Sequence, residues 1–498
     1  MLFRLLFKTL YFEIEKWNII MKEKSIKINA ILNVLLTLSN IVFPLITFPY
    51  ISRVLNPTGV GVTSFFTSIS SYCTLVASLG ISTYGIRAIA KVRNDKNKLT
   101  KVFQELLLVN LFMAIIVSVL LLLLAMGIEQ LRSEMALLVI TCVTVLASPF
   151  SLNWFYSGIE EYSYITKRSI LLKFISLILT FLLVKKPNDY IVYASITLFS
   201  ILSSNILNIL QSRKFISFKL RNDLKFKHHL KPMWYLFASL LAVNVYTNLD
   251  TVMLGFISGN SAVGLYSVAT KVKWILLSLV TSISTVLLPR FSFYISQKDI
   301  SKFREVLRES ISVIFLISIP LTVFFLIEAR DSILLLGGNK YLDATLTMQV
   351  LMPILLISGF SNITGNQILI PTGREKYFML AVSSGAFVNL ILNFLLMPKY
   401  GILGGGLATL FAEITQMVIQ VKYSIDFLQK SISVSSIFKF IISAIISALI
   451  LLLTRSLFIY KDALIQLTVS GLLFFLIYVS LLLLLRDKTI KNVFGNLK

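Results

Sequence analysis

Asp250, Lys271, Lys273 and Glu413 each stand deep in a long apolar run of this 498-residue sequence, and chemistry is expected from them first. A charge near the centre of a bilayer costs at least about 2.5–3.5 kcal/mol, so such a residue marks a cavity or a partnered site. Lys271 lies ten residues beyond Ser261, about 15 Å along a helix at about 1.5 Å per residue, which is mid-membrane. Lys273 is nearly as deep. Two residues make about 200° of helical rotation, so the two amines face different walls. Lys271 is assigned to a lumen, and Lys273 to a neighbouring helix or a boundary between lobes. Asp250 sits about 10 Å from its helix end by the same rise, placed to pair with Lys271 on an adjoining antiparallel helix, either as a structural ion pair or as an ion-coupling group. Glu413 is followed by Gln416 and Gln420 at i+3 and i+7, a polar stripe on one helix face. Its amides suit a hydroxyl-rich ligand, or else they bond neighbouring helices. Asn362, Asn366 and Gln367 add amides on another inward candidate.

The elements that must position these residues are membrane helices. Hydrophobic residues make up 56% of the chain and charged ones 14%, with a mean hydropathy of +0.84. A soluble domain carries about a quarter charged residues and has no core large enough for so much apolar surface. A window of about 20 apolar residues finds fourteen segments, near 30–50, 61–82, 104–127, 135–156, 170–184, 191–211, 233–257, 262–288, 310–328, 346–370, 377–397, 402–422, 437–458 and 463–485. None alternates as a barrel strand would, and in lipid a helix satisfies its own backbone, so an all-α polytopic membrane protein is expected. With the N-terminus cytoplasmic, 35 Lys and Arg fall in inward segments, 8 in outward loops and 4 within the membrane. The net charge of +24 is therefore an orientation signal aided by anionic lipid headgroups, not a nucleic-acid footprint, and both termini are expected inside.

An internal repeat divides the chain. Thr58-Gly-Val-Gly-Val-Thr-Ser64 lies over Ser261-Ala-Val-Gly-Leu-Tyr-Ser267 at an offset of 203, and Ser157-Gly-Ile-Glu-Glu-Tyr162 over Thr372-Gly-Arg-Glu-Lys-Tyr377 at an offset of 215. Both offsets map helix n onto helix n+6, so the halves run parallel. The expected units are a cytoplasmic N-terminal segment (1–29), an N-lobe of helices 1–6 (30–211), a basic cytoplasmic linker (212–232), a C-lobe of helices 7–12 (233–424), an appended pair (437–485) and a cytoplasmic tail (486–498). Two six-helix lobes around a cavity are the plan of an alternating-access transporter.

Other features fit that plan or exclude rivals. Cys73 and Cys142 both lie in apolar runs, so no disulfide framework or thiolate metal site is expected. His228 and His229, the only histidines, are adjacent in a basic loop and read as solvated, leaving no metal site. With no phosphate loop, no G-x-S-x-G and no soluble stretch of domain size, neither an enzyme nor a cofactor is expected. Arg53 and Arg87 bracket the first helical hairpin on opposite sides of the membrane, as phosphate contacts at a cavity mouth or as interfacial anchors. Pro44 and Pro49 interrupt helix 1, making it the expected gate, with a static bend as the alternative. Charges break up any apolar h-region in residues 1–29, so no signal peptide is expected; either Met21 is the first residue or the segment is an amphipathic helix on the membrane.

Several stretches resemble one family. Phe48-Pro-Tyr-Ile-Ser-Arg-Val-Leu-Asn-Pro-Thr-Gly-Val-Gly61, Gly80-Ile-Ser-Thr-Tyr-Gly-Ile-Arg-Ala-Ile-Ala-Lys91, Asn153-Trp-Phe-Tyr-Ser-Gly-Ile-Glu-Glu-Tyr162, Asn248-Leu-Asp-Thr-Val-Met-Leu-Gly255, Val263-Gly-Leu-Tyr-Ser-Val-Ala-Thr-Lys271, Leu288-Pro-Arg290 and Gln367-Ile-Leu-Ile-Pro-Thr-Gly-Arg374 are similar, in this order, to Wzx-type polysaccharide repeat-unit flippases of the multidrug/oligosaccharidyl-lipid/polysaccharide superfamily. The resemblance runs from about residue 28 to residue 425. It implies fourteen helices with two pseudo-symmetric six-helix lobes in a MATE-like V. It also implies flipping of undecaprenyl-diphosphate-linked oligosaccharide across the bacterial cytoplasmic membrane for capsule, O-antigen or exopolysaccharide assembly, with membrane lipids and other assembly membrane proteins as partners. Under it, Lys271 offsets the diphosphate, with Lys273, Arg53 and Arg87 as further cations, while Asn366, Gln367, Gln416, Tyr246 and Tyr266 receive sugars. The prenyl tail stays in lipid, passing a gap near helices 1 and 8, and Asp250 and Glu413 couple transport to an ion. The rivals are a peptidoglycan-precursor flippase, a drug or cation antiporter, which wants an acid in the N-lobe core, and a membrane polymerase, which wants a sizeable outer loop.

Overall fold

A computed structural model describes residues 26–429, 431–454, 462–487 and 489–490, without the side chains of 26–31, 33, 238–240, 242–247, 283–289 and 292. Residues 1–25 of the expected N-terminal segment and most of the expected tail lie outside the described residues. Every described element is helical, in the order α1 (Ile26–Ser78), α2 (Ile81–Val92), α3 (Lys96–Gly127), α4 (Glu129–Arg132), α5 (Met135–Ala147), α6 (Asn153–Gly158), α7 (Tyr162–Leu183), α8 (Tyr190–Ser212), α9 (Lys227–Ile257), α10 (Gly259–Ser296), α11 (Ile300–Ile327), α12 (Ala329–Leu336), α13 (Thr345–Leu351), α14 (Ile354–Asn362), α15 (Glu375–Leu428), α16 (Val434–Thr454) and α17 (Ala463–Leu484).

Among the described residues nine helices are long and apolar enough to cross a membrane, or ten if the pair bent by 45° at residues 352–353 is one span. α1 and α15 are each two helices folded at one residue, Asn56 (φ 60°) and Gly401 (φ 52°), and fourteen spans are compatible with this arrangement. Apolar residues such as Leu35, Phe112, Leu123, Phe387 and Leu453 point outward, as lipid-facing positions do. Polar starts are capped: Asp95 accepts from the Asn97 and Lys98 amides, and Asp462 from those of Leu464 and Ile465.

Three expectations about the helices are corrected. The expected loop 51–60 is helix up to Leu55, with Ile51, Ser52 and Leu55 buried, and the turn is a single residue. Proline disfavours helical geometry in the residue before it, so Pro57 places the turn at Asn56, which tolerates positive φ. Pro44 and Pro49 lie inside the continuous first helix of α1 and do not interrupt it. The outer loop expected at 329–345 is α12 followed by the 3₁₀ turn Asn339–Ala344, and its buried Tyr341 donates to the Ser52 carbonyl at 3.2 Å.

Aromatic residues from α2, α3 and α6, with Phe103, Trp154 and Phe155 at the centre, form one core, to which Met233 and Phe237 of α9 add. Phe291, Phe303, Leu307 and Ile363 form another. Between them runs a seam where Ile51, Leu55 and Val60 of α1 meet Val268, Val272 and Leu276 of α10. Two glycines at the repeat offset of 203 make the closest approach in that seam. A Cβ on Gly61 would lie 1.6 Å from the Asn260 carbonyl oxygen, and one on Gly264 would lie 1.9 Å from that of Pro57.

Candidate functional site

A hydrogen-bonded polar cluster at membrane depth is built around Asp250 on α9. Its Oδ1 accepts from the side-chain amides of Asn389 (3.0 Å) and Asn393 (2.7 Å). Its Oδ2 receives the Tyr266 hydroxyl (2.7 Å) and lies 2.5 Å from the Thr409 hydroxyl. A carboxylate has about four lone-pair positions, so this one is fully occupied by neutral donors. α15 supplies three of the four partners because Asn389 and Asn393 share a helix face at i, i+4 and the fold at Gly401 returns Thr409 to the same level. The expected Asp250–Lys271 pair does not form. Tyr266 is buried to 2% exposure with its hydroxyl on Asp250, and it lines the small cavity beside that carboxylate.

Lys273 and Glu413 line a cavity of about 140 Å³ together with Asp250 and Thr409. Trp274 and Glu413 also line an adjoining cavity of about 320 Å³, with Asn362, Asn366, Gln416 and Gln420 in its wall. The i, i+3, i+7 stripe of Glu413, Gln416 and Gln420 thus faces one hollow. The π turn Ile363–Leu369 separates two expected neighbours: Asn366 faces the cavity while the buried Gln367 turns away, its Oε1 accepting from Ser310 at 3.0 Å. Such turns add a residue to a helical circuit and recur at functional sites. Gln420 is held by Ser361 (2.8 Å) and Thr364 (2.7 Å).

The two lysines occupy opposite walls of α10, with the assignment reversed. Lys273 is the buried cavity residue, and the half-buried Lys271 faces α1, its Nζ 5.4 Å from the Phe48 ring centroid. α10 packs against α1 along the seam, so the face carrying Lys271 is the boundary between halves. Arg53 donates to the Leu334 (3.2 Å) and Leu335 (2.7 Å) carbonyls at the end of α12, where a cation meets the negative end of the helix dipole. Arg87 is exposed and lines a cavity of about 470 Å³ with Tyr84, Lys91 and Pro232. The Tyr246 side chain lies outside the described residues.

The histidines correct a further expectation. His229 is buried at 2% exposure, with Nε2 2.9 Å from Glu105 Oε2 and Nδ1 2.7 Å from the Tyr84 hydroxyl. Burial holds its pKa below the ordinary value, opposed by the hydrogen bond to Glu105. The glutamate also accepts from the Lys225 amide at 2.6 Å, so the exposed basic linker is fastened to α3 at this point, while His228 is exposed as expected. One imidazole nitrogen or carboxylate oxygen from each of Glu105, His228 and His229 lies within 4.8 Å of the others, although the two histidines are neighbours on the chain.

Comparison with known proteins places this architecture. Residues 26–295 match the sequence family described as polysaccharide biosynthesis protein, and residues 236–395 match the MatE family. The chain is 27% identical over 407 residues to the "Putative O-antigen transporter" of Shigella dysenteriae, covering 80% of this chain and 99% of that one. The protein of the same name from Escherichia coli (strain K12) is 23% identical over 393 residues, covering 78% and 94%. Among solved structures, lipid II flippase MurJ in an inward closed conformation superposes with a TM-score of 0.76 at 16% identity, covering 92% of this chain and 99% of that one. An inward-facing multidrug resistance MATE family transporter of the MOP superfamily gives 0.58 at 14% identity, covering 82% and 97%. These likenesses show the fold, a multi-pass membrane transporter architecture. With more than half of its length matched by that sequence family, the chain belongs to the polysaccharide biosynthesis protein family, as its resemblance to the repeat-unit flippases implied.

Proposed function

We propose that this protein flips undecaprenyl-diphosphate-linked oligosaccharide repeat units from the inner to the outer leaflet of the bacterial cytoplasmic membrane, by alternating access, for capsule, O-antigen or exopolysaccharide assembly. The observation that carries the reading is Lys271, a cation at membrane depth on the boundary between the halves, with no carboxylate close to it among the described residues. A diphosphate crossing a low-dielectric region needs such a charge to offset its desolvation. Lys273, by contrast, shares its cavity wall with Asp250 and Glu413. The similarity to O-antigen transporters over nearly their whole length supports the same substrate class.

In this reading Asp250 and Glu413 are the acids that couple transport to a proton or sodium gradient, the Asp250 cluster joining α9, α10 and both halves of α15, which must move together. Pro44 and Pro49 bend the first helix of α1 as a gate, and the prenyl tail stays in lipid. Both termini face the cytoplasm. In support, ion pairs join segments of the inward set to one another: Arg93 to Glu160, Lys101 to Asp223 and Arg374 to Asp426. Deleting the gene is expected to leave undecaprenyl-linked repeat units on the cytoplasmic side of the membrane, restored by the intact gene. Normal polymer in the deletion strain would refute the proposal.

A further inference from the structure

The N-terminal half holds a second polar cavity. Two hollows of about 540 and 210 Å³ share Thr67, Ser70, Thr144 and Ile201, and lie among the second helix of α1, α3, α5 and α8. Small-molecule pockets run from about 300 to 1,000 Å³, so the space is that of a ligand site. Its wall is written in the sequence: Thr63, Thr67, Ser70, Thr74 and Ser78 recur at steps of three and four, which is one helix face. Thr141, Thr144, Ser148 and Ser151 repeat the pattern on α5 and the turn after it. No charged side chain lines either hollow among the described residues.

Several of the lining hydroxyls share a polarity. Thr67 donates to the Thr63 carbonyl (2.7 Å), Ser71 to Thr67 (2.9 Å), Thr144 to Ile140 (2.8 Å) and Ser148 to Val145 (2.8 Å). Each proton is spent on the residue's own helix, which leaves oxygen lone pairs as the free function of the group. Asn205 likewise donates its amide to the Ala147 carbonyl at 2.7 Å. Two further groups in the wall are unpartnered. Asn110 Oδ1 and Trp154 Nε1 belong to side chains only 4% and 5% exposed, and neither has a hydrogen-bond partner among the described residues. Leaving a buried polar atom unpaired costs about 1–3 kcal/mol, and both residues line the same cavity.

An uncharged, acceptor-rich wall discriminates between ligand classes. A phosphate brings only acceptors and would find no cation and many lone pairs already facing it. A cation would find no carboxylate, and an apolar chain would leave Asn110 and Trp154 unsatisfied. A sugar carries many O–H donors for the hydroxyl oxygens and Asn110, and ring or hydroxyl oxygens for the Trp154 N–H. We propose that this cavity is the glycan subsite, so that the N-terminal half holds the sugars while Lys271 at the seam holds the diphosphate. The assignment rests on the flipping function proposed above and adds a division of labour between the halves.

The test compares two probes on the purified full chain in detergent: undecaprenyl diphosphate alone, and lipid-linked repeat units extracted from the flippase-deletion strain. The unaltered protein is expected to bind the glycan-bearing lipid at least tenfold more tightly. In the double variant Thr67→Val, Thr144→Val, which keeps shape and removes two acceptors, that advantage is expected to vanish while affinity for undecaprenyl diphosphate stays the same. Trp154→Phe should reduce the advantage, the double variant Thr67→Ser, Thr144→Ser should retain it, and Lys271→Ala should weaken both probes alike. An undiminished glycan advantage in the valine and Trp154→Phe variants, or none in the unaltered protein, overturns the glycan subsite and leaves the flippase reading standing. Binding of neither probe by the unaltered protein overturns both.

Discussion

Asp250 collects donors from α10 and both halves of α15, so its charge and its shape can be removed separately. Asp250→Ala leaves those donors unpartnered and is expected to lower stability by about 3 kcal/mol or more, seen as a lower melting temperature in detergent. Asp250→Asn keeps the side-chain volume and is expected to give a folded protein whose transport no longer responds to an imposed ion gradient; an unchanged response would remove the aspartate from coupling. His229 gives a prediction in pH. Its folded pKa lies below the ordinary 6.5 because burial disfavours the imidazolium. The stability it contributes is therefore fully present above about 6.5 and is lost as the pH falls from there through the lower folded value. Melting curves from about pH 8 to 5 should show this loss in the unaltered protein and a smaller one in His229→Gln. The sequence showed that Asp250 and Glu413 matter because depth is arithmetic along one helix. It did not show their partners, since Asn389, Asn393 and Thr409 lie more than a hundred residues away, although an Asn pair at i, i+4 in an apolar run was a visible signal. The placement of Lys271 and Lys273 failed for the same reason: a 200° separation fixes opposite walls, and only the packing of α10 on α1 says which wall is which.

At the scale of elements, the seam between α1 and α10 depends on the absence of two side chains. Gly61→Ala and Gly264→Ala would each drive a methyl group into backbone, and a cost of about 2 kcal/mol or more is expected from forcing the helices apart. Both variants should lose transport, whereas Gly127→Ala, with nothing within 4 Å of the added carbon, should match the unaltered protein. The double variant Pro44→Ala, Pro49→Ala is expected to slow transport, and an unchanged rate would end the gate role of the first helix. The helical segments were legible because lipid leaves a backbone no alternative to helix. Their turns were not: a window of about 20 residues cannot register a chain that reverses at one residue, as at Asn56 and Gly401. α12 was hidden because its eight residues, continuously apolar only from Ile333 on, are too few for a window of about 20 to register.

For the whole molecule, orientation is the property most directly open to measurement. With Cys73 and Cys142 replaced by serine, Lys340→Cys is expected to react with a membrane-impermeant maleimide added outside the cells, and Lys98→Cys only after permeabilisation; the reverse pattern would invert the topology. The hydroxyl stripes of the N-terminal half went unread because serine and threonine are cheap in a membrane helix and attract no notice singly, so their common face becomes visible only when α1 and α5 are brought together. The glycine contact between the halves has a mechanical meaning as well. A closure made of main chain has no rotamer to turn and no single side chain to swing aside. It can part only when whole helix tips move, each relieved by the other's departure across a common axis. In the proposed alternating-access cycle such a contact would be made or broken as a whole, with no half-open state held by a single side chain.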